Sequence, residues 1–419
     1  MERTAAVFAA ILVTLAAVPA SGAAAAATAQ SSAYAGTHVT FDAETNAVTN
    51  YTVGGATVFD SLRVESAGSA QSEASAGADA DLDADASAVT DVAGSAVSVS
   101  ATAETRATVT TESGAEMRVH DTPNGNLVLA SDDGAQALRA NVSDGASVSE
   151  DGEARVVVEN GDTTSVFVAV GNASVARNDD GDVSAHVGDD GRLVLRTYGE
   201  SDERTESDEQ AEQLIADGTA TAELYVMGGA NATTEIVQYG GNTTVEVAER
   251  TNETVTVTVE RSVSEGAVVL TSVSDEAVAA GDSLAVSVDG EAAAHVESAS
   301  ELRTAANGGE QSAYMVTESS AEADAATDVY VALNHFSERT VTMTSESDGS
   351  AETTGTTETA DGDDSAETAE SATDEETDTE TDASSETSGT QTSTSAPGFG
   401  VTAALAALAG AALVAVRRR

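Results

Sequence analysis

Residues 244–259 read TVEVAERTNETVTVTV and contain the clearest secondary-structure signal in the chain. Valines alternate with polar residues in two parts of this segment, which a polar stretch separates. The valines are Val245 and Val247 in the first part and Val255, Val257 and Val259 in the second. Successive side chains of a strand point to opposite faces of a sheet, so this alternation places the valines on one buried face. The segment therefore predicts a pair of half-buried β-strands.

Tight-turn signals surround further short apolar segments. Asn-Gly and Asp-Gly pairs, which favour the positive backbone angles of hairpin turns, begin at Asn124, Asp133, Asp144, Asp151, Asn160, Asp180 and Asp190. Val- and Leu-rich segments fall between or after them, at 127–129, 154–158, 166–170, 193–195, 286–288, 314–317 and 329–333. This spacing predicts a mainly β fold with one or two antiparallel β-sandwich (Ig-like) modules. A repetitive solenoid of short strands is the competing architecture.

A helical signal divides the β-rich region. Ser207 and Gln210 have the spacing of a capping box, and Gly218 follows Leu214 and Ile215 as a helix stop. We therefore predict a β-rich module at 30–200, a helical connector at 201–218 and a second β-rich module at 219–345. The Ala/Ser/Gly/Asp-rich stretch 65–88 fits either a linker or a weak sheet.

The charge composition restricts the environment and the partners. The chain of 419 residues has 72 acidic residues against 17 basic ones, no cysteine and a net charge of −55. All the basic residues are arginine. Molar salt reduces the screening length to about 3 Å, so such a chain suits a brine in which self-repulsion becomes local. The acidity argues against nucleic-acid binding, and the lack of cysteine excludes disulfides and thiolate chemistry.

Both ends of the chain carry targeting signals. Residues 1–29 resemble a secretory signal peptide, because Arg3 precedes an apolar stretch that ends in small residues. Residues 397–419 contain an apolar stretch of bilayer-spanning length followed by Arg417, Arg418 and Arg419, which mark the cytoplasmic side. The sequence thus predicts an exported protein on the extracellular face of the membrane, anchored by its C-terminus.

A polar stalk precedes the C-terminal segment. Residues 346–395 contain 16 acidic residues, no basic residue and 23 serines or threonines. A segment of this kind cannot bury enough apolar surface to offset the entropy of ordering. We therefore predict an extended stalk at 346–396 that separates the β-rich ectodomain from the membrane.

The C-terminal tail closely resembles the PGF-type sorting signal of haloarchaeal surface proteins. Pro397, Gly398 and Phe399, the apolar segment, the terminal arginines and the acidic Ser/Thr-rich stretch before them carry this resemblance. It implies an archaeosortase as partner, removal of the tail and attachment of a lipid. A plain transmembrane anchor is the alternative, and both interpretations place the protein at the cell surface.

Six Asn-x-Ser/Thr sequons indicate N-glycosylation. They begin at Asn50, Asn141, Asn172, Asn231, Asn242 and Asn252, and none contains proline. All six lie in the predicted ectodomain, where an exported chain would meet the N-glycosylation machinery. We expect several of them to carry glycan.

Signals for catalysis and metal binding are weak. The histidines at 38, 120, 186, 295 and 335 have no metal-ligand spacing, so no cofactor is expected. Asp79, Asp81, Asp83 and Asp85 alternate, but an EF-hand would need glycine at Ala84 and glutamate at Thr90. A hydrated acidic face is favoured for them, with loose Ca²⁺ or Mg²⁺ binding as the alternative. Residues 281–284 read GDSL and resemble the signature of a serine esterase family, yet no Asp-x-x-His follows to supply a base.

These signals together favour a non-enzymatic surface glycoprotein of a halophilic archaeon, membrane- or lipid-anchored and structural or surface-layer-associated. Surface-layer proteins are the expected neighbours. The alternative is a surface display module, an adhesin or a solute- or polymer-binding protein, on the same anchor. A surface hydrolase dependent on Ser283 is the weakest of the three hypotheses.

Overall fold

The alternating segment forms two antiparallel strands, Thr243–Arg250 and Thr254–Arg261. Val245 pairs with Val259, and Val247 pairs with Val257. In the second strand Val255, Val257 and Val259 are buried while the threonines between them are partly exposed. The period-two pattern therefore produces a sheet with one face in a core, as predicted.

The computed structural model describes residues 32–74, 86–103, 105–131, 134–199, 204–228, 233–251, 254–274, 277–278, 284–318, 326–335 and 338–345. Its strands, in chain order, are β1 Ser32–Ala35, β2 Val39–Ala43, β3 Val48–Val53, β4 Ala56–Ser66, β5 Val97–Ala103, β6 Arg106–Thr111, β7 Ala115–His120, β8 Leu127–Ser131, β9 Gln136–Asn141, β10 Ser147–Glu150, β11 Arg155–Asn160, β12 Thr163–Val170, β13 Ala173–Arg177, β14 Val183–Val187, β15 Arg192–Tyr198, β16 Ala220–Met227, β17 Thr233–Gln238, β18 Thr243–Arg250, β19 Thr254–Arg261, β20 Glu265–Ser274, β21 Leu284–Val288, β22 Glu291–Ala292, β23 Ala294–His295, β24 Ala313–Glu318, β25 Ala326–His335 and β26 Glu338–Ser345. The α-helices are α1 Ala67–Ala74, α2 Glu206–Ala216 and α3 Ala299–Ala306, and Ala86–Ala88 form a short 3₁₀ turn.

The strands form four sheets. Sheet 1 has the order β1-β2-β3-β4-β9-β14-β13, and sheet 2 has the order β10-β11-β12-β15-β8-β7-β6-β5. Sheet 3 has the order β17-β16-β20-β25-β24-β23, and sheet 4 has the order β18-β19-β26-β21-β22. Pairing is antiparallel except in sheet 3, where β16 runs parallel to β20 and β23 runs parallel to β24. The mainly β, antiparallel fold is thus confirmed, and the described strands stack as sheets, not as a solenoid.

Three apolar cores separate the four sheets. Core 1 lies between sheets 1 and 2 and includes Phe59, Leu138 and Phe167. Core 2 joins the other face of sheet 2 to sheet 3 and includes Val194, Tyr225, Leu270 and residues of α2 and α3. Core 3 lies between sheets 3 and 4 and includes Leu224, Val257 and Val331. Sheets 2 and 3 are therefore covered on both faces, and the described residues all belong to one compact unit.

Helix α2 is part of core 2. Ala211, Leu214 and Ile215 are buried there, between strands that lie on either side of the helix in sequence. The predicted capping box is wrong by two residues: the N-cap is Thr205, whose hydroxyl accepts from the Asp208 N–H while the Asp208 carboxylate accepts from the Thr205 N–H. Ser207 lies inside the helix instead. Gly218 follows the helix with φ +73°, as a helix stop requires.

Positive backbone angles occur at the predicted turns. The glycine takes the left-handed conformation in six of the seven turn pairs named above, and in the seventh Asp190 itself has φ 62°. Two constraints require glycine at position 125. Its φ is +51°, and a Cβ there would lie 2.3 Å from a methyl group of Val53. The turn glycine thus permits close contact between sheets 1 and 2.

Candidate functional site

Three sequon asparagines are exposed on the surface of the stack. Asn50 lies in β3 with φ 53°, and its amide nitrogen donates to the Asp42 carboxylate at 3.1 Å. Asn172 lies in the turn between β12 and β13, and Asn242 lies in the turn between β17 and β18. Exposed asparagines at turns and strand irregularities are accessible to a large glycan without disturbing a core.

Acidic side chains surround Asn242. A surface pocket of about 380 Å³ is lined by Asn242, Arg261 and two opposed carboxyl groups, those of Glu260 and Glu338. Glu260 and Glu338 are directly paired between β19 and β26. The hydrogen bond and negative charge of Glu338 raise the pKa of the Glu260 carboxyl. A glycan on Asn242 would therefore extend from a strongly acidic surface.

Asn141 differs from the exposed sequon residues. It ends β9, is partly buried, and donates its amide nitrogen to the two Asp182 carboxylate oxygens at 3.3 and 3.1 Å. Arg139 also binds Asp182, with Nη2 2.7 Å from Oδ2. Arg139, Asn141 and Asp182 all line a polar pocket of about 550 Å³. The amide nitrogen is the group that receives the sugar. Asn141 is partly buried and its amide nitrogen makes two hydrogen bonds to Asp182, whereas Asn50 is exposed and makes one to Asp42, so Asn141 is the poorest acceptor of the four sequon asparagines described.

A buried ionic network joins sheets 2 and 3 across core 2. His120 at the end of β7 places Nδ1 2.6 Å from the Glu235 carboxylate of β17. Arg106 donates to the same carboxylate from Nε and Nη2 at 2.9 and 2.7 Å, and the Thr105 hydroxyl donates at 2.7 Å. Burial lowers the pKa of His120 although Glu235 opposes the shift. Burial acts to raise the pKa of Glu235, but the hydrogen bonds from His120 and Thr105 outweigh it and the pKa falls.

Glu223 is the centre of a second buried cluster. Its carboxylate accepts from Arg196 Nη2 of β15 at 3.1 Å and from the hydroxyl of Tyr239 in a short hydrogen bond. Asn126, between β7 and β8, reaches the same carboxylate at 3.4 Å and accepts from the Tyr225 hydroxyl at 3.0 Å. Each of these residues is buried, so sheets 2 and 3 are joined by charge-assisted hydrogen bonds inside an apolar layer.

Glu212 of α2 forms a third cluster at the edge of core 2. It is fully buried and accepts from the Tyr198 hydroxyl at 2.9 Å, from Arg204 Nη2 at 2.5 Å and from Arg155 Nη1 at 3.3 Å. The first two clusters thus join sheet 2 to sheet 3, and the third joins α2 to sheet 2. The carboxylate oxygens of Glu235, Glu223 and Glu212 are used in these contacts, whereas His120 Nε2 and the Nε and Nη1 atoms of Arg196 are buried without a hydrogen-bond partner among the described residues.

These clusters are not evident from the sequence. Of their members only His120 stands out in it, as an isolated histidine. The available signal was a charged residue inside an otherwise apolar strand, as Glu223 is in the sequence ATAELYVM of β16. A strand buried on both faces can hold a carboxylate only with a charged or hydrogen-bonding partner.

Several predicted sites lie outside the described residues. These are Asn231, Asn252, Ser283, Asp79, Asp81, Asp83, Asp85, Pro397, Gly398, Phe399, Arg417, Arg418 and Arg419. Within the described ranges, no group of three or more His, Asp or Glu side chains is arranged to hold a metal ion. No helix in that part of the chain is long and apolar enough to cross a membrane.

Comparisons with known proteins give little guidance. No protein-family model matches the sequence, and no curated protein matches it significantly. Among solved structures, the chain is similar to a glycoside hydrolase family 81 protein from Clostridium thermocellum, with a TM-score of 0.31 and 8% identity. That similarity covers 75% of this chain and 35% of the hydrolase. A similarity at this level says nothing about the activity of this chain.

Proposed function

We propose that the chain is a non-enzymatic cell-surface glycoprotein of a halophilic archaeon, anchored at its C-terminus and structural or surface-layer-associated. The observation that carries this proposal is the exposure of Asn50, Asn172 and Asn242, three sequon asparagines on separate parts of the stacked sheets. The proposed location, on the extracellular face of the membrane, rests on the signal peptide and the PGF-type tail predicted from the sequence.

The arrangement of charges supports a structural role. At least eight of the described arginines make ion pairs with carboxylates, as Arg303 does with Asp217. The acidic residues greatly outnumber the arginines, so most carboxylates have no basic partner and bind water and salt cations. A stack of sheets joined by three cores and covered with hydrated acids is suited to load-bearing in brine. In this proposal the stalk sets the distance of the stack from the membrane.

The buried clusters also support a role without catalysis. A catalytic acid or base needs access to substrate, whereas His120, Glu223 and Glu212 are enclosed between sheets 2 and 3. In this proposal they stiffen the connection between the two pairs of sheets. Loose binding of Ca²⁺ or Mg²⁺ at the acidic surface would add lateral contacts between neighbouring copies.

Peptide mass spectrometry of the protein from the membrane fraction tests this proposal. We expect hexose-bearing peptides at Asn50, Asn172 and Asn242, and a C-terminus that lacks residues 400–419 and carries a lipid. Asn141 is the internal control, because its hydrogen bonds to Asp182 predict the lowest occupancy among these four. An intact tail with glycosylated sequons would replace the lipid anchor by a transmembrane one.

Unmodified sequons together with an intact tail would contradict the glycoprotein proposal. The display module would then be the better interpretation. Abundance separates the two further, since a lattice component is plentiful on the cell surface while an adhesin or solute-binding protein is scarce. Comparing the amount of this chain with that of the major surface protein in the same membranes measures this.

A further inference from the structure

The outermost strand of a sheet carries backbone N–H and C=O groups that can pair with another chain. Most outer strands here are short or charged. Four or fewer residues form β1, β10, β22 and β23, while β13 contains Arg177, β17 contains Glu235, and β18 contains Glu246, Glu249 and Arg250. The exception is β5, seven residues with the uncharged sequence VSVSATA at one edge of sheet 2.

The hydrogen bonds around β5 determine which of its residues face outward. The Glu112 N–H, at the end of β6, donates to the Ala96 carbonyl at 2.9 Å, so Ala96 and then Ser98 and Ser100 direct their backbone groups towards β6. The Val97 N–H instead donates to the Thr45 carbonyl at 3.1 Å, away from β6. By the same alternation Val99 and Ala101 direct their backbone groups outward, and no described strand pairs with that side.

Strands β1 and β2 of sheet 1 lie near β5, but several side chains of β5 remain exposed. Ser98 and Ser100 are exposed on one face of the strand, and Ala101 is exposed as well. Val99 lies on the opposite face, where it packs against core 1 but is only partly buried. A strand added at this edge would find small side chains and would cover the rest of Val99.

We propose that β5 is a self-association edge that pairs antiparallel with β5 of a second copy of this chain. With the two-fold axis at Ser100, Val99 of one copy and Ala101 of the other exchange both of their outward backbone hydrogen bonds. A twofold arrangement uses the same surface on both copies and closes after one pairing. The proposal does not depend on the anchor or on glycosylation.

The charge distribution favours β5 as the place where two copies of the chain make contact. Two chains that each carry a net charge of −55 repel each other over most of their surfaces. An uncharged strand is the part of sheet 2 at which two copies approach with the least repulsion, and molar salt screens the charges beyond it. We therefore expect the pairing of β5 strands to form at the high salt concentration that the composition predicts.

Cysteine substitution gives a register-specific test, because the chain contains no cysteine. Ser100 pairs with its own counterpart in the proposed dimer, with about 4.5 Å between Cα atoms in such a non-hydrogen-bonded pair. The Ser98 residues of the two copies would be about 14 Å apart, beyond disulfide reach. The Ser100→Cys chain should therefore form a covalent dimer on mild oxidation, while the Ser98→Cys chain should not.

The measurement uses the full chain, purified in detergent and molar KCl, on a non-reducing gel. Ser149→Cys provides the control for chance collisions, since Ser149 is exposed on β10 at the opposite edge of sheet 2. We expect at least a tenfold higher dimer fraction for Ser100→Cys than for either control variant. Equal dimer fractions among the three variants, or no dimer in any, would overturn the proposal.

A charge variant tests the same edge without covalent chemistry. Ser100→Glu places two carboxylates opposite each other in the dimer but leaves the exposed side chain of the monomer in water. In light scattering at molar KCl we expect the wild-type chain and Ser149→Glu to be dimeric and Ser100→Glu to be monomeric. A dimer that survives Ser100→Glu would place the contact elsewhere.

Discussion

At the scale of single residues, Asp121 fixes the first hairpin of sheet 1 to sheet 2. Its carboxylate accepts from the backbone N–H groups of Thr37, His38 and Val39 at 2.6, 2.7 and 2.8 Å. Asp121→Ala leaves these donors without an acceptor, which should lower the free energy of unfolding by about 3 kcal/mol. Chemical denaturation in molar KCl measures this loss, with the exposed Asp162→Ala as the control. A loss equal to that of the control would show that water replaces the carboxylate.

Arg196 and Glu223 form an enclosed ion pair at the interface between sheets 2 and 3. Both are buried, and the Arg196 guanidinium also lies 5.7 Å from the ring centre of Tyr198. Arg196→Met should cost about 3–5 kcal/mol, because it removes the cationic partner of the buried Glu223 side chain. Adding Glu223→Gln should recover part of this loss, since a neutral amide still hydrogen-bonds Tyr239 and Asn126. A double-mutant cycle measures the coupling, and strictly additive losses would contradict it.

Asp328 gives the stability of the protein a pH dependence. Burial, assisted by the negative charges of Glu223 and Asp208, raises the pKa of its carboxyl to about 7, although the hydrogen bond from Ser272 and the positive charge of Arg196 oppose the shift. Because the folded pKa lies above the unfolded value, this residue contributes stability at low pH that is lost between about pH 4 and pH 7. The loss has an upper bound of about 4 kcal/mol. Unfolding curves of wild-type protein and Asp328→Asn should diverge across this window, with the variant more stable at pH 8; parallel curves would contradict this.

At the scale of elements, α2 contributes to core 2 through one face. Leu214 and Ile215 are fully buried, while the preceding residue, Gln213, is exposed. Leu214→Ala removes packing between the helix and the two inner sheets and should cost about 3 kcal/mol. Gln213→Ala is the matched control in the same turn and should change stability by less than about 0.5 kcal/mol. Denaturant midpoints compare the two, and equal midpoints would mean that the helix does not hold the layer together.

The predictability of the elements depends on how many of their faces are buried. The strands of sheet 4 cover one core, so the alternation at 244–259 predicted β18 and β19 correctly. Strands of sheets 2 and 3 face two cores, and their sequences are continuous apolar runs such as LVLAS in β8. Such runs show that a strand is buried but not what covers each face. The sequence therefore indicated strands at 127–129 and 193–195 without revealing the packing of sheet 2 on sheet 3.

The candidate site was predictable only in part, for a related reason. Sequons are local patterns, so their positions were known from the sequence, but exposure depends on partners distant in sequence. Asn141 illustrates this, because Asp182 approaches it only through the pairing of β9 with β14. The first two buried clusters likewise include contacts between residues far apart in sequence, such as Asn126 and Glu223, which are 97 positions apart. No sequence spacing records such contacts.

At the scale of the whole molecule, the stack of four sheets must hold together against its own charge. Carboxylates that lack basic partners repel one another across a surface whose net charge is −55 for the full chain. The screening length rises from about 3 Å in 1 M salt to about 10 Å in 0.1 M salt, so the repulsion then acts between neighbouring strands. Core burial does not depend on screening to the same extent. Lowering the salt concentration therefore weakens the folded state while leaving its apolar contacts unchanged.

We expect the melting temperature of the full chain to fall by at least 10 °C when KCl is reduced from 2 M to 0.1 M. At about 2 cal/mol/K of unfolding entropy per residue, a shift of that size corresponds to roughly 6 kcal/mol for about 300 folded residues. Circular dichroism melts measure it. A matched series in sucrose, which strengthens burial without screening charge, separates screening from solute exclusion. Because repulsion scales with charge, replacing the exposed Glu260 by Gln should raise the melting temperature in 0.1 M KCl more than in 2 M KCl. If sucrose restored the melting temperature as fully as KCl, burial and not charge would limit the stability of the stack.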